Sequence, residues 1–475
     1  MATLSGSTLP SRLCIPRISL LSLAAISLLA AGCGAGLESA STSNPLAVTG
    51  PSFVVGTDAP LAGVTSFSVQ VQSLNAITAT GTSVPLLSGT PTVDFARFNG
   101  LQTLLDMNNV PVGTYSSISI TLGPATIGYL QTGSGAPTIQ TMAATLTTST
   151  VTYTLANPLI ITQNGSPAGI HLDFNLAKSI QVSRGQITGS VTPTFAVRAV
   201  GPNDSDAYLD DFDAGVVSVN ASAQTFVIQG PHGRNFTVNV TGNTDWENNE
   251  NFSSLTSSSI VAISGTLDRA DATIDADDIA ILSQNGFYAD GQVTYVTPAS
   301  GPASSFDLYV RALLPANTGL TLGQIAQVNL TGSENFYIRR MRNPLTQFLF
   351  NSSLLLPGQA VAIGGPASGA ANPQAVTTKR VVLRHWGYNG TVVPGSVSTA
   401  NGTFQMQVSG FAGLLIPQTV TVYTTGNTSF RTGLTGMGGV SAVPPSVNVR
   451  AVGLLLKDPT SGQTVLLARY VDELN

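Results

Sequence analysis

This sequence is poor in charge. Asp, Glu, Lys and Arg together make up 9% of 475 residues, against ~25% in ordinary soluble domains. It has three histidines (His171, His232 and His385) and two cysteines (Cys14 and Cys33). No H-E-x-x-H, G-x-S-x-G, G-x-x-x-x-G-K or C-x-x-C occurs, which removes the commonest zinc, serine-hydrolase, phosphate and redox signatures. After residue 31 no apolar run reaches the ~20 residues that a spanning helix needs. Net charge is −5, and a mildly acidic surface argues against nucleic acid as a partner.

What is present begins at the start of the chain. Arg12 and Arg17 precede an apolar run from Ile18 to Ala31, about 14 residues long, which has the order of a secretory signal. The run closes on Leu28-Leu29-Ala30-Ala31-Gly32-Cys33, which resembles a bacterial lipobox. Ala30 stands where such motifs more often carry Leu. The resemblance implies cleavage before Cys33 and lipidation of Cys33, holding the protein to a membrane by two or three acyl chains at ~0.8 kcal/mol per buried methylene. Gly34 in place of Asp is similar to lipoproteins delivered to the outer membrane. Removing residues 1–32 takes two arginines and no acid, leaving 17 basic against 24 acidic residues, net −7. Cys33 is then the sole cysteine of the mature chain, so no disulfide is expected. Residues 33–51 read as a small, polar tether with a reach of ~20–25 Å.

From residue 52 the pattern is β. Phe67, Val69 and Val71 alternate with Ser68, Gln70 and Gln72, and Ile118, Ile120 and Leu122 alternate with Ser119 and Thr121, the period of half-buried strands. Leu101–Met107 is the one short helix candidate here. Residues 52–202 are expected to form a β-sandwich. Thr57-Asp58-Ala59-Pro60, then Val110-Pro111-Val112-Gly113-Thr114-Tyr115 and Leu172-Asp173-Phe174-Asn175-Leu176, resemble a family of bacterial lipoprotein domains of unknown function. The resemblance implies a fold and no activity. Asp58 reads as the cap of an Asx turn before Pro60, with a ligand contact as the alternative.

Residues 203–213 are acidic and read as a boundary. Beyond them three landmarks recur in order, three times. One is Gly before β-branched residues, at Gly215, Gly291 and Gly390. The next is Thr241-Gly242-Asn243-Thr244-Asp245-Trp246, Thr331-Gly332-Ser333-Glu334-Asn335-Phe336 and Thr425-Gly426-Asn427-Thr428-Ser429-Phe430. The last is Val261–Gly265, Val361–Gly365 and Val449–Gly453. The expected class is therefore all-β: an N-terminal β-sandwich followed by three small β-barrel-like repeats at 213–284, 289–385 and 387–475, with an OB-like barrel among the options. The repeats resemble a second family of uncharacterised bacterial domains.

Chemistry is sparse. Asp204, Asp206, Asp210, Asp211 and Asp213, and separately Asp268, Asp271, Asp275, Asp277 and Asp278, have the oxygen ligands calcium requires but lack EF-hand order, so a solvated linker or loop is the simpler reading. Arg339, Arg340 and Arg342 read as an exposed basic loop. His171 reads as a surface or strand-end residue, His232 as a turn, and His385 as a boundary residue. No cofactor is expected. The leading expectation is a non-catalytic envelope lipoprotein with a structural, adhesion or recognition role. Its partners would be the membrane, through Cys33, and a polysaccharide or envelope protein. The alternative is carbohydrate binding through exposed Trp246, Trp386 or Tyr388. A further alternative is a hydrolase with a dispersed carboxylate site, since paired carboxylates need no local spacing.

Overall fold

The computed structural model describes residues 48–474, except 60–63, 98–102, 132–135, 164–167, 184–185, 202–207, 231–234, 269–272, 285, 315–318, 342–347, 366–374, 417–418, 432–439, 441–442, 445 and 459. The export signal, Cys33 and most of the tether lie outside the described residues, and among those described no helix is long and apolar enough to cross a membrane.

The all-β expectation is met. The N-terminal part is two facing sheets. One has four strands in the order Phe195–Val200, Ala168–Asn175, Thr49–Ala59 and Thr103–Pro111. The other is built on the long strands Val64–Thr78 and Gly113–Gln131, flanked by Thr138–Leu146 and Thr150–Ile161. Alternate residues point inward from both, so Val54, Ile170 and Phe174 share one core with Val71, Ile118 and Ile120. Two local expectations change. The sheet begins at Thr49, three residues inside the expected tether. Pro51 lies in this strand opposite Asn109 of the antiparallel neighbour. The helix candidate at Leu101–Met107 is instead the strand Thr103–Pro111. A helix that short is unstable alone, whereas as a strand it buries Leu104 and Met107 on one core and rests Leu105 on the other.

The C-terminal part is three five-stranded barrels with one strand order. In the first, strands 1 to 5 are Tyr208–Asn220, Thr225–Gln229, Asn235–Asn239, Ile260–Asp268 and Thr273–Ser283. Strand 1 pairs with 2 and 4, strand 2 with 3, and strand 4 with 5, all antiparallel; a parallel pairing of 3 with 5 closes the barrel. The third repeats this with Trp386–Val392, Thr403–Val408, Thr419–Tyr423, Asn448–Lys457 and Thr464–Glu473. The second uses Phe287–Thr297, Ser305–Leu314, Ile325–Asn329 and Ala360–Gly365, with strand 5 split into Ala375–Thr377 and Arg380–Arg384. This is the closed Greek-key order of small OB-like barrels.

The landmarks have physical roles. The Gly landmark lies on strand 1; at Gly291 an added Cβ would collide with the Tyr309 carbonyl of strand 2. The Thr-Gly-Asn-Thr turn is built alike in barrels one and three. Thr244 Oγ1 donates to Ala276 O at 2.7 Å and Thr428 Oγ1 to Ala468 O at 2.7 Å. In the second barrel Glu334 takes over, accepting from the Thr331 and Gly332 amides. The aromatic that follows, Trp246, Phe336 or Phe430, packs onto its own barrel's core.

Candidate functional site

Strand 1 of the first barrel starts at Tyr208, inside the segment read as a solvated boundary. The strand bulges between Leu209 and Phe212, and Asp211 sits there with φ 54°. A bulge re-aims the side chains it carries. Here it lets Asp210, Asp211 and Asp213 all turn into the protein, where each is buried or nearly so. Asp204 and Asp206 lie outside the described residues.

The acids meet arginines from the other barrels. Arg339 is completely buried, not the exposed loop residue its neighbours suggested. Its Nε donates to Asp211 Oδ1 at 2.8 Å, its Nη1 pairs with Glu247 Oε1 at 3.1 Å and with Asp278 Oδ1, and its Nη2 donates to Ser264 Oγ at 3.2 Å. Arg384 grips the same aspartate from the other side, with Nη2 2.6 Å from Asp211 Oδ2. It also holds Asp213 with both terminal nitrogens, at 2.9 and 3.1 Å. The Tyr288 hydroxyl donates to Asp213 and accepts from Arg384, and the Arg340 and Met341 amides donate to Glu247 at 2.7 and 2.6 Å. Arg342 lies outside the described residues.

Further pairs extend the node. Arg380 holds Glu250 at 2.6 Å, joining barrels one and two, and Arg469 holds Asp210 at 3.1 Å, joining barrels one and three. Arg311 donates to the Ala96 carbonyl of the sandwich at 2.9 Å and lies 4.4 Å over the Trp386 ring of the third barrel. The scarce charges are thus concentrated where units meet.

Burial and partners set the ionisation of these groups. At Asp211 burial favours the neutral acid, but Arg384 and Arg339 outweigh it and hold the carboxyl far below its usual range. Burial raises Asp213, with Asp290 and Asp211 adding to it against Arg384. Burial also raises Glu247, against Arg339. The Arg384 guanidinium is held charged by Asp211 and Asp213 in spite of burial. His385 is buried beside this cationic side of the node; burial first, then Arg469, push it down to about 3.

The calcium reading gives way to this geometry. Guanidinium groups already occupy the oxygens of Asp210, Asp211 and Asp213, and among the described residues no cluster of three or more His, Cys, Asp or Glu is arranged to hold a metal. In the second acidic group, Asp278 joins the node, Asp275 accepts from Asn239 at 2.8 Å, and Asp271 lies outside the described residues. The aromatic candidates also move. Trp386 is 7% exposed under Arg311, and Tyr388 is fully buried with its hydroxyl donating to Gly358 O at 3.0 Å. Both are strand-1 residues at the joint between barrels two and three, so burial there removes them as sugar-stacking platforms. Trp246 is half-buried edge-on to Phe252. His171 is buried in the middle of its sheet, between Val55 and Arg198, not at a strand end. His232 lies outside the described residues, as does Pro60; Asp58 continues the strand opposite Phe174.

Sequence reasoning missed Arg384, Glu247 and Tyr288. One signal was available. In a chain with so little charge, acids clustered in one repeat and arginines clustered in the next are natural partners.

The arrangement can clamp, since Arg339, Arg384, Arg380 and Arg469 each hold an acid of the first barrel. No curated protein matches the chain. A solved structure described as "drosophila Unr CSD456" is similar over 56% of this chain and 97% of its own, at 10% identity and a TM-score of 0.14, a score at which the likeness carries no argument. Residues 54–193 match a family described as "Domain of unknown function (DUF4382)", so the N-terminal sandwich is the part of this chain that a known domain family describes.

Proposed function

We propose that this chain is a non-catalytic, lipid-anchored protein of the bacterial cell envelope, whose barrels form a rigid body serving a structural, adhesion or recognition role. The observation that carries the reading is the buried node. Arg339, Arg384, Arg380 and Arg469 each bind an acid of the first barrel, so much of the chain's limited charge is committed to holding units in register. A buried ion pair adds little net stability over an apolar contact, and its best-attested use is fixing an arrangement. Fold alone names no activity.

The anchor is tested by Cys33→Ser in the full chain. The expected result is transfer from the membrane fraction to the soluble fraction with the β-rich circular dichroism spectrum unchanged. A variant that stays with the membrane would overturn the lipid anchor. Turnover of a polysaccharide or ester by the purified protein would overturn the non-catalytic reading.

A further inference from the structure

Single exposed hydrophobic side chains need no explanation. Three of those in this chain are not single. Val48 is 49% exposed, Val112 42% and Ile160 54%, and the fold brings all three to one corner of the sandwich. The Val112 amide donates to Val48 O at 2.9 Å. Val112 leads into Gly113–Gln131, where Gly113 pairs with Ile161 and Thr114 with Ile160. Tyr115, Leu159 and Ile161 are buried in the core, so Thr114 and Ile160 point outward. The first strand also packs on this corner, since a Cβ added at Gly50 would collide with the Thr162 carbonyl. The segments that meet here carry no charge. The chain contains no Asp, Glu, Lys or Arg from Ser39 to Thr57, nor from Met107 to Leu172.

We propose that this corner rests on the membrane that holds Cys33, with Val48, Val112 and Ile160 entering the boundary between headgroups and acyl chains. The inference rests on the lipid-anchor reading above and adds an orientation to it. The position of the patch names the occupant. Val48 is itself the point where the chain from Cys33 reaches the sandwich. The intervening stretch is 15 residues, from 33 to 48, which spans at most about 50 Å even fully extended. The corner is therefore held close to the bilayer whatever path that stretch takes. Aliphatic side chains gain by leaving water at such a boundary. Charged neighbours would have to be desolvated there, and these segments bring none. Three side chains are too few to hold a free chain on a membrane. In a chain already anchored, the effective concentration of the bilayer is high, and a small apolar patch decides which face turns towards it.

The test is depth-dependent quenching in the full lipidated chain, reconstituted into vesicles of neutral phosphatidylcholine with brominated acyl chains. Thr114→Cys places a thiol in the middle of the patch for a fluorophore. It is the one that reacts, because Cys14 leaves with the signal and the Cys33 sulfur carries lipid. The expected result is quenching of the fluorophore by the bromolipid, against the same vesicles without bromine. Val112→Asp/Ile160→Asp should abolish the quenching while the chain still floats with the vesicles and its melting temperature is unchanged. Ile160→Leu should retain it. A chain that does not float overturns the lipid anchor, and this inference with it. A chain that floats with its fluorophore unquenched overturns the inference and leaves the anchor standing. Quenching that persists in the double aspartate variant, or that requires anionic phosphatidylglycerol in the vesicles, also overturns it.

Discussion

The two halves of this molecule solve the same problem with opposite materials. The sandwich holds its sheets together with aromatic rings: Phe174 stacks on Phe67 at 4.8 Å and on Phe95 at 5.1 Å, and meets Phe195 edge-on at 4.7 Å. The barrels have apolar cores of their own, and between them Arg339, Arg384 and the acids around them lie beside apolar seams such as Ile260, Ala262, Tyr288 and Val382. An apolar core is non-directional and tolerates small shifts. A guanidinium with several carboxylates tolerates few, because each nitrogen must find its oxygen. The contrast teaches that stability and relative placement are assigned to different groups here. The rings stabilise one domain, and the node adds direction to the apolar seams along which three similar barrels meet.

The largest effects should separate the two halves by pH. Arg339→Met leaves Asp211, Glu247 and Asp278 buried without their shared cation and should cost about 3–5 kcal/mol at pH 7.5. Phe174→Ala empties a well-packed site and should cost a similar ~3–5 kcal/mol. The pH dependence should differ. Without Arg339 the carboxyls are raised in the folded protein, so the folded state takes up protons as pH falls and the loss shrinks towards pH 5. Phe174→Ala involves no titrating group and should cost the same at both values. Denaturant unfolding at the two pH values measures this; two parallel responses would erase the comparison.

How much was legible in the sequence follows the same division. The sandwich and the barrels were readable because alternation, turn glycines and the Thr-Gly-Asn-Thr landmark are local: Thr244 and Thr428 act within a few residues of their own turns and on the strand beside them. The node was not readable as a site. Asp211 and Arg339 are far apart in sequence, and the bulge that turns Asp211 inward depends on pairing with strand 4. Burial of Trp386 and Tyr388 was legible in part, since they share the parity of Val392 and join Phe404 and Met406 in the third barrel's own core. What was hidden is that the second barrel also reaches them, through Gly358 at the Tyr388 hydroxyl and Arg311 over the Trp386 ring. Tyr288, Asp213 and Arg384 likewise meet only once two barrels are side by side.

A smaller effect concerns His385. Its folded value of about 3 lies below the ordinary 6.5, so between these limits the unfolded chain binds a proton that the folded chain refuses. Stability from this residue is therefore complete above pH 6.5 and is lost as pH falls towards 3. From pH 7.5 to 5 the loss is about 2 kcal/mol by linkage. Asp213 and Glu247 act in the opposite sense at their raised values, favouring the folded state as pH falls and losing that contribution as pH rises. Asp211, held low, contributes in full above the usual carboxylate range and loses that contribution progressively as pH falls below it. His385→Leu should flatten the dependence between pH 7.5 and 5. An unaltered slope in that variant would show that histidine does not set the acid limit of the barrels.

The smallest effect offers the sharpest contrast, because it changes one atom in each half. Tyr388→Phe removes the hydroxyl that donates to Gly358 across the joint of barrels two and three. Tyr115→Phe removes one that donates to Pro111 O at 2.6 Å at the corner where the chain passes from one sheet of the sandwich to the other. Each should cost about 1 kcal/mol, the net worth of an ordinary hydrogen bond, so melting temperature will not distinguish them. Hydrogen exchange will. Loss at the joint should reduce protection in strand 1 of the third barrel and strand 4 of the second together, because the bond couples them. Loss at this corner should be confined to the end of Thr103–Pro111 and the start of Gly113–Gln131. If Tyr388→Phe instead lowers protection in one barrel alone, the barrels open independently, and the node is a set of contacts without being a clamp.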